Sequence, residues 1–213
     1  MSLPAGEPAA PEAVREWIEQ QTRKADRFRH VAEASDQHRA HHGCTVYPSS
    51  DGSLLGVLAA ASRARRVLEV GCGLGYSALW LAYGAGAGGS VETIERDRDH
   101  AELARRHFAA EGMGECIKVH IGRAAAILPT LRDAYDLIYF DGEPAESLAD
   151  LEHFARVLRP GGLLISANLF LGQYDPTIPG LEQTAEYRVR ILNSEQWLTA
   201  YCADGDKALS IRR

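Results

Sequence analysis

The sequence predicts an α/β chain: a seven-stranded, mostly parallel sheet with helices on both faces, closed by an antiparallel hairpin and preceded by a helical extension. Three observations predict it. Five short apolar runs alternate with helical patterns, which is the signature of βα units and a parallel sheet. The first run, Val67-Leu68-Glu69-Val70, enters a turn with glycines at alternate positions, Gly71, Gly73 and Gly75. Near the end, Asp204-Gly205-Asp206 separates two β-like runs, as a hairpin turn does.

Taken in order, residues 1–10 read as a tail. Pro11 suits the first turn of a helix, and the helical pattern from Pro11 to about Arg39 divides into two helices. Val14, Trp17, Ile18 and Gln21 share one face; Phe28, Val31 and Ala32 share another. Gly43 to Gly52 is a connection in which Asp51 can cap a helix over Ser53–Ser62. The expected strands are Arg66–Val70, Ser90–Glu95, Cys116–Ile121, Tyr135–Phe140 and Leu163–Ala167. The intervening helices are Ser77–Tyr83, Arg98–Glu111, Ala124–Leu131 and Ser147–Leu158. A further helix over Leu181–Asn193 precedes the hairpin strands Trp197–Ala203 and Lys207–Arg212. The expected organisation is a helical extension over residues 1–43 and one domain over 44–213.

The 213 residues suffice for one sizeable core, and 46% apolar with 24% charged residues fits a globular enzyme. A net charge of −6 argues against a nucleic-acid partner. Cys44, Cys72, Cys116 and Cys202 form no C-x-x-C pair, so they read as thiols of a reducing compartment, and the expected location is cytoplasmic. No run of roughly 18 apolar residues predicts a membrane span.

Glycines placed after a strand let a ligand approach the backbone, and the helix that follows offers its N-terminus to negative charge. Glu95 ends the second strand, where a ribose would meet it. The pattern therefore predicts a nucleotide-like cofactor. A dinucleotide turn reads G-x-G-x-x-G, but here the third glycine falls one position early and Tyr76 stands in its place.

At these residues the chain resembles the class I S-adenosylmethionine-dependent methyltransferases, and among them the small O-methyltransferases related to catechol and caffeoyl-CoA O-methyltransferases. The resemblance runs from about Ala32 to Arg213. It rests on V-L-E-V-G-C-G-L-G-Y-S-A-L-W-L-A at 67–82, V-E-T-I-E-R-D at 91–97, I-G-R-A-A-A-I-L-P at 121–129, Y-D-L-I-Y-F-D-G at 135–142 and L-R-P-G-G-L-L-I-S-A-N at 158–168. It implies a Rossmann-like fold, a homodimer and methyl transfer to a hydroxyl of a small, phenolic or catechol-like acceptor. It also implies that Glu69 faces the methionine part of S-adenosylmethionine, that Gly71 and Cys72 offer close backbone approach and that Ser77 binds the methionine carboxylate. Glu95 would accept the ribose hydroxyls, Ala124 would touch the adenine, and Tyr47 and Asp141 would complete the cofactor site.

The resemblance further implies a divalent metal such as Mg²⁺ on Asp141 and on an Asp-Asn pair after the fifth strand. Here that pair is Ala167-Asn168, and the lysine expected three residues after Asp141 is Pro144. Asp141 and Asn168 are the catalytic and metal candidates that remain. Methyl transfer then stays open to a route without the metal, with Glu143 or His42 as candidate bases. His38 and His42 are four apart and can share a helical face. Phe170, Tyr174, Pro176 and Pro179 lie where relatives keep an acceptor loop. Two other readings stay open: a cofactor-binding regulatory protein without catalysis, and an NAD-dependent oxidoreductase.

Overall fold

The computed structural model describes residues 10–48, 52–132, 134–170, 177, 179–202 and 206–213. The elements are α1 (Pro11–Ala25), α2 (Arg29–His42), α3 (Gly52–Ala61), β1 (Arg66–Val70), α4 (Tyr76–Ala85), β2 (Ser90–Glu95), α5 (Arg98–Ala110), β3 (Ile117–Ile121), α6 (Ala124–Ile127), β4 (Tyr135–Phe140), α7 (Ser147–Val157), β5 (Leu158–Ser166), α8 (Leu181–Arg190), β6 (Trp197–Tyr201) and β7 (Ala208–Arg212). The seven strands lie in the order β3-β2-β1-β4-β5-β7-β6. The pairs from β3 through β5 are parallel; β7 runs antiparallel to both β5 and β6. This is the expected mixed sheet. The chain starts in the middle at β1 and reverses direction across the sheet there, so ligands belong at the carboxyl ends of β1, β2 and β4.

Strand β1 is buried on both faces from Val67 to Val70, as a central parallel strand must be. Its alternation feeds two cores. Val67 joins Leu55, Leu79, Ala104 and Phe108 on one side of the sheet. Leu68 and Val70 join Leu128, Phe154, Leu164 and Tyr187 on the other. Each buried Val, Leu or Phe side chain among these contributes about 1.5–3 kcal/mol relative to exposure.

Several boundaries shift for physical reasons. The helix expected over Ala124–Leu131 tightens after Ile127 into a 3₁₀ turn, Leu128–Thr130, because Pro129 cannot donate to a continuing α ladder. β5 begins earlier than expected, at Leu158. Tyr135 pairs with Leu158 but Leu137 with Leu163, so Pro160, Gly161 and Gly162 are absorbed in an irregularity of the ladder. The N-terminal helices part at Asp26, whose Oδ1 accepts the Phe28 backbone N–H at 2.9 Å while Oδ2 accepts the Tyr76 hydroxyl at 2.8 Å. Phe28 and Val31 thus enter the core. The apolar face of α1 does not; no α1 residue is buried, and Ile18 is half exposed. Asp51, Tyr174, Pro176 and the hairpin tip Asp204-Gly205 lie outside the described residues.

Asp150 on α7 is buried, and among the described residues neither carboxylate oxygen has a partner. Burial, aided by the nearby Glu146, pushes its pKa up to about 7. The folded state therefore holds the protonated form, and stability falls as pH rises from about 4 to 7. Asp150→Asn removes that ionisation. Its thermal unfolding at pH 8 should shift upward by an amount equivalent to about 1–3 kcal/mol, and the gain should vanish at pH 4.

Candidate cofactor and acceptor site

The site forms along the carboxyl edge of β1, β2 and β4. Register places Glu69 between Thr93 of β2 and Tyr139 of β4. The Glu69 side chain is fully buried, and its Oε2 accepts the Thr93 hydroxyl at 2.5 Å. Its Oε1 is equally buried and has no partner among the described residues. Burial raises the carboxyl to about 7; hydrogen bonds from Ser77 and Thr93 oppose the rise, and the like charges of Asp141 and Glu95 add to it. An unpartnered oxygen in such a place asks for a donor from a ligand, and a cationic donor above all.

Gly71 adopts φ 95°, and a Cβ built there would fall on the Asp141 carbonyl oxygen. Only glycine permits that approach. It brings the end of β4 against the turn, and the Asp141 backbone N–H donates to the Val70 carbonyl at 2.9 Å. Cys72 is buried, and its burial pushes the thiol pKa up, so it is packing rather than a nucleophile. Ser77 is buried in the first turn of α4, directed at Glu69.

Glu95 is 7% exposed at the end of β2. Its Oε2 accepts the Gly73 N–H at 2.8 Å and its Oε1 accepts the Asp97 N–H at 2.8 Å. The carboxylate is thus fixed across the glycine turn, with lone pairs left for two ligand hydroxyls. Ala124 is buried at the start of α6. Val46 packs over Gly73, where an added Cβ would lie 3.0 Å from its methyl. Tyr47 next to it is exposed, with the Arg39 guanidinium 4.2 Å from its ring centre.

On the β4–β5 side, Asp141 is half-buried. Tyr139 donates its hydroxyl to Oδ2 at 3.2 Å, and the Asn168 amide donates to Oδ1. Burial raises the Asp141 carboxyl; those hydrogen bonds and the positive charge of Lys207 oppose the rise, and Asp206 adds to it. Asn168 has φ 59°, a left-handed conformation that asparagine tolerates. Lys207, buried at the start of β7, is the residue sequence reasoning missed. Its signal was available only through topology, because β7 inserts beside β5 and pairs Ala208 with Ser166. Lys207 therefore comes opposite Ala167, where the expected carboxylate is missing. The Asp206 carbonyl accepts the Leu169 N–H at 3.1 Å and secures that junction.

The donor set does not fit an Mg²⁺ ion. Such an ion needs several oxygen ligands. Here a single carboxylate is engaged on both oxygens, Asn168 turns its N–H₂ toward it, and a cation already lies in its field. Glu143 does not complete the set; it pairs with Arg96 at 2.8 Å across the exposed mouth. Nor is His42 among the groups around Asp141. It lies exposed on α2 with its ring 4.3 Å from that of His38. A narrow apolar hollow bounded by Phe140, Ala167, Asn168, Leu169 and Tyr187 adjoins the site.

Comparison with known proteins places this geometry in context. Residues 68–168 match the family described as a methyltransferase domain. A protein of Mycobacterium ulcerans named as an O-methyltransferase is 33% identical over 168 residues, covering 76% of this chain and 75% of that protein. A catechol O-methyltransferase of Mycobacterium tuberculosis is 37% identical over 125 residues, 58% of this chain and 57% of the relative's own length. The chain thus spans under two thirds of the latter. Among solved structures, the O-methyltransferase TomG of Streptomyces achromogenes, involved in tomaymycin synthesis and crystallised with S-adenosylmethionine, is 26% identical. It superposes with a TM-score of 0.72 over 85% of this chain and 89% of its own. Cofactor-bound Rv0187 from MTB is also 26% identical, with a TM-score of 0.77 over 97% of this chain and 99% of that one.

Gly71→Ala tests the turn. The substitution should destabilise the fold by about 2–4 kcal/mol, from a clash with Asp141 backbone added to an unfavourable φ. Denaturant unfolding reads it, and an unchanged midpoint would show that the turn has room to spare.

Proposed function

This chain belongs to the O-methyltransferase family, and on that premise we propose that it transfers the methyl group of S-adenosylmethionine to a hydroxyl of a small phenolic or catechol-like molecule, without a divalent metal. The observation that carries the reading is the buried, unpartnered Oε1 of Glu69 beside the glycine turn. It suits the ammonium of the cofactor's amino-acid end. Ser77 and the N-terminus of α4 suit the adjoining carboxylate, and Glu95 suits the two ribose hydroxyls. Ala124, Cys72 and Gly71 give close apolar and backbone contact, while Asp141 and Tyr47 border the cofactor.

The cofactor brings an already activated methyl group, so the protein's task is alignment and deprotonation of the acceptor. When bound, S-adenosylmethionine would give its methyl carbon to the acceptor oxygen as the carbon–sulfur bond breaks, and would leave as the neutral thioether. The hydroxyl proton leaves to the Asp141 carboxylate. The buried ammonium of Lys207 stabilises charge on the acceptor oxygen, the duty that the missing metal would otherwise perform. Phe170 and Pro179, in the loop that follows Asn168, favour a flat acceptor. A homodimer is supported by the uncovered face of α1 and by exposed Leu54, Val57 and Tyr83. A cytoplasmic location is supported by the thiols of Cys44, Cys72 and Cys116. Among the described residues, no helix is long and apolar enough to cross a membrane.

Calorimetry with S-adenosylhomocysteine should give a dissociation constant at least about tenfold weaker for Glu69→Gln, since a charge-assisted hydrogen bond is worth about 1.5–3 kcal/mol. Equal affinity in the two proteins would remove Glu69 from the cofactor site. Turnover on a panel of phenols and catechols should be unchanged by added Mg²⁺. Lys207→Met should lower kcat by about 10²-fold, the scale for losing one charge-stabilising donor, with cofactor affinity nearly constant and partial rescue in Lys207→Arg. A rate that depends on Mg²⁺ would overturn the metal-free reading.

A further inference from the structure

Away from the β4–β5 edge, four side chains of metal-ligating type gather where α2 meets α5. His38 and His42 come from the last turns of α2, Cys44 from the segment after it, and His100 from the first turn of α5. The ligand atoms of His38, Cys44 and His100 all lie within 4.8 Å of one another, and all three residues are half-buried. Among the described residues they are the only group of three so placed. His42 stacks on His38 at 4.3 Å, and the rings of His38 and His100 meet edge-on at 5.1 Å. His41 takes no part; its Nδ1 pairs with the Gln37 carbonyl.

We propose that His38, Cys44 and His100 bind a transition-metal ion of the zinc type, with His42 as the neighbouring fourth ligand, and that the ion clamps the end of α2 to α5. Two imidazoles and a thiol select a borderline ion such as Zn²⁺ over Mg²⁺ or Ca²⁺. With Zn–N of about 2.0 Å and Zn–S of about 2.3 Å, tetrahedral ligand atoms lie roughly 3.3–3.6 Å apart, so small side-chain rotations close the observed spread.

The backbone is arranged for this. α2 ends at Gly43, whose φ of 63° turns the chain back, and its N–H donates to the Arg39 carbonyl at 2.8 Å. That reversal returns Cys44 to the side of His38. His100 is held by the cap of α5; the Asp97 carboxylate accepts the N–H groups of Asp99 and His100 at 2.8 and 3.1 Å. The charged and titratable groups facing His38 are His42, His100, Asp97 and Asp99.

Two residues beyond Cys44, Val46 packs on Gly73, whose N–H is held by Glu95. An ion at the cluster would therefore fasten the covering segment over the glycine turn. Its relevance to cofactor exchange rests on the methyltransferase reading; the metal binding itself does not.

The test is a Co²⁺ titration of the full chain carrying no polyhistidine tag, with hydrogen exchange of residues 29–48 measured with and without Zn²⁺. The expected result is a stoichiometric visible spectrum of tetrahedral cobalt with a thiolate charge-transfer band. It should be lost in Cys44→Ser and in His100→Gln, and Zn²⁺ should slow exchange in that segment several-fold. No tetrahedral spectrum, or one that survives both substitutions, would overturn the site. A spectrum with unaltered exchange would overturn the clamp. Neither readout uses the cofactor, so failure here is distinct from failure of the methyltransferase assignment.

Discussion

A carboxylate buried in the middle of a parallel sheet is a costly thing, and Glu69 imposes that cost on everything around it. One oxygen is quieted by Thr93 through the strand register; the other is left without a partner. The like charges of Glu95 and Asp141 stand close enough to make matters worse. Such a group persists in a fold when a ligand answers it. The ammonium of S-adenosylmethionine is the proposed answer, with Ser77 and the start of α4 proposed for the carboxylate beside it. Gly71 supplies the geometry by letting Asp141 come against the turn.

The same edge separates two tasks. The β1–β2 half is built to hold a cofactor, with Glu95 pinned by backbone N–H groups of the turn it faces. The β4–β5–β7 half is where the proposed acceptor chemistry lies. There the loss of a carboxylate at Ala167 coincides with a buried lysine on the adjacent strand. The positive charge of Lys207 reaches Asp141, and in the proposed reaction it also faces the acceptor. The proposed exchange of a metal for a fixed cation agrees with Asp141 accepting from Tyr139 and Asn168 on both oxygens.

Much of this was legible in the sequence where local pattern decides structure. The strand-to-glycine turn at 67–77 and the acidic end of β2 identify themselves by type and spacing, because a tight turn against a ligand admits few residues. The hairpin strands were legible too. What could not be read was proximity created by long-range topology. Lys207 belongs to the site only because β7 inserts between β5 and β6, and nothing within its own neighbourhood of sequence announces that. His38 and His42 were visible as a pair, but Cys44 and His100 join them only in three dimensions. The early start of β5 reflects a ladder irregularity at Pro160, which tertiary pairing tolerates and strand propensity does not predict. The shared apolar face of α1 is legible as a pattern, but among the described residues nothing buries it.

In the proposed complex Glu69 receives a cation. Calorimetry of S-adenosylhomocysteine binding at pH 6, in buffers of differing ionisation enthalpy, measures this through protons. With its pKa near 7 in the free protein, Glu69 is mostly protonated at pH 6, and pairing with an ammonium must expel that proton. The account predicts net proton release approaching one per cofactor at pH 6, fading by pH 8 and absent in Glu69→Gln. Binding with no proton release at pH 6, or with the same release in Glu69→Gln, would contradict it.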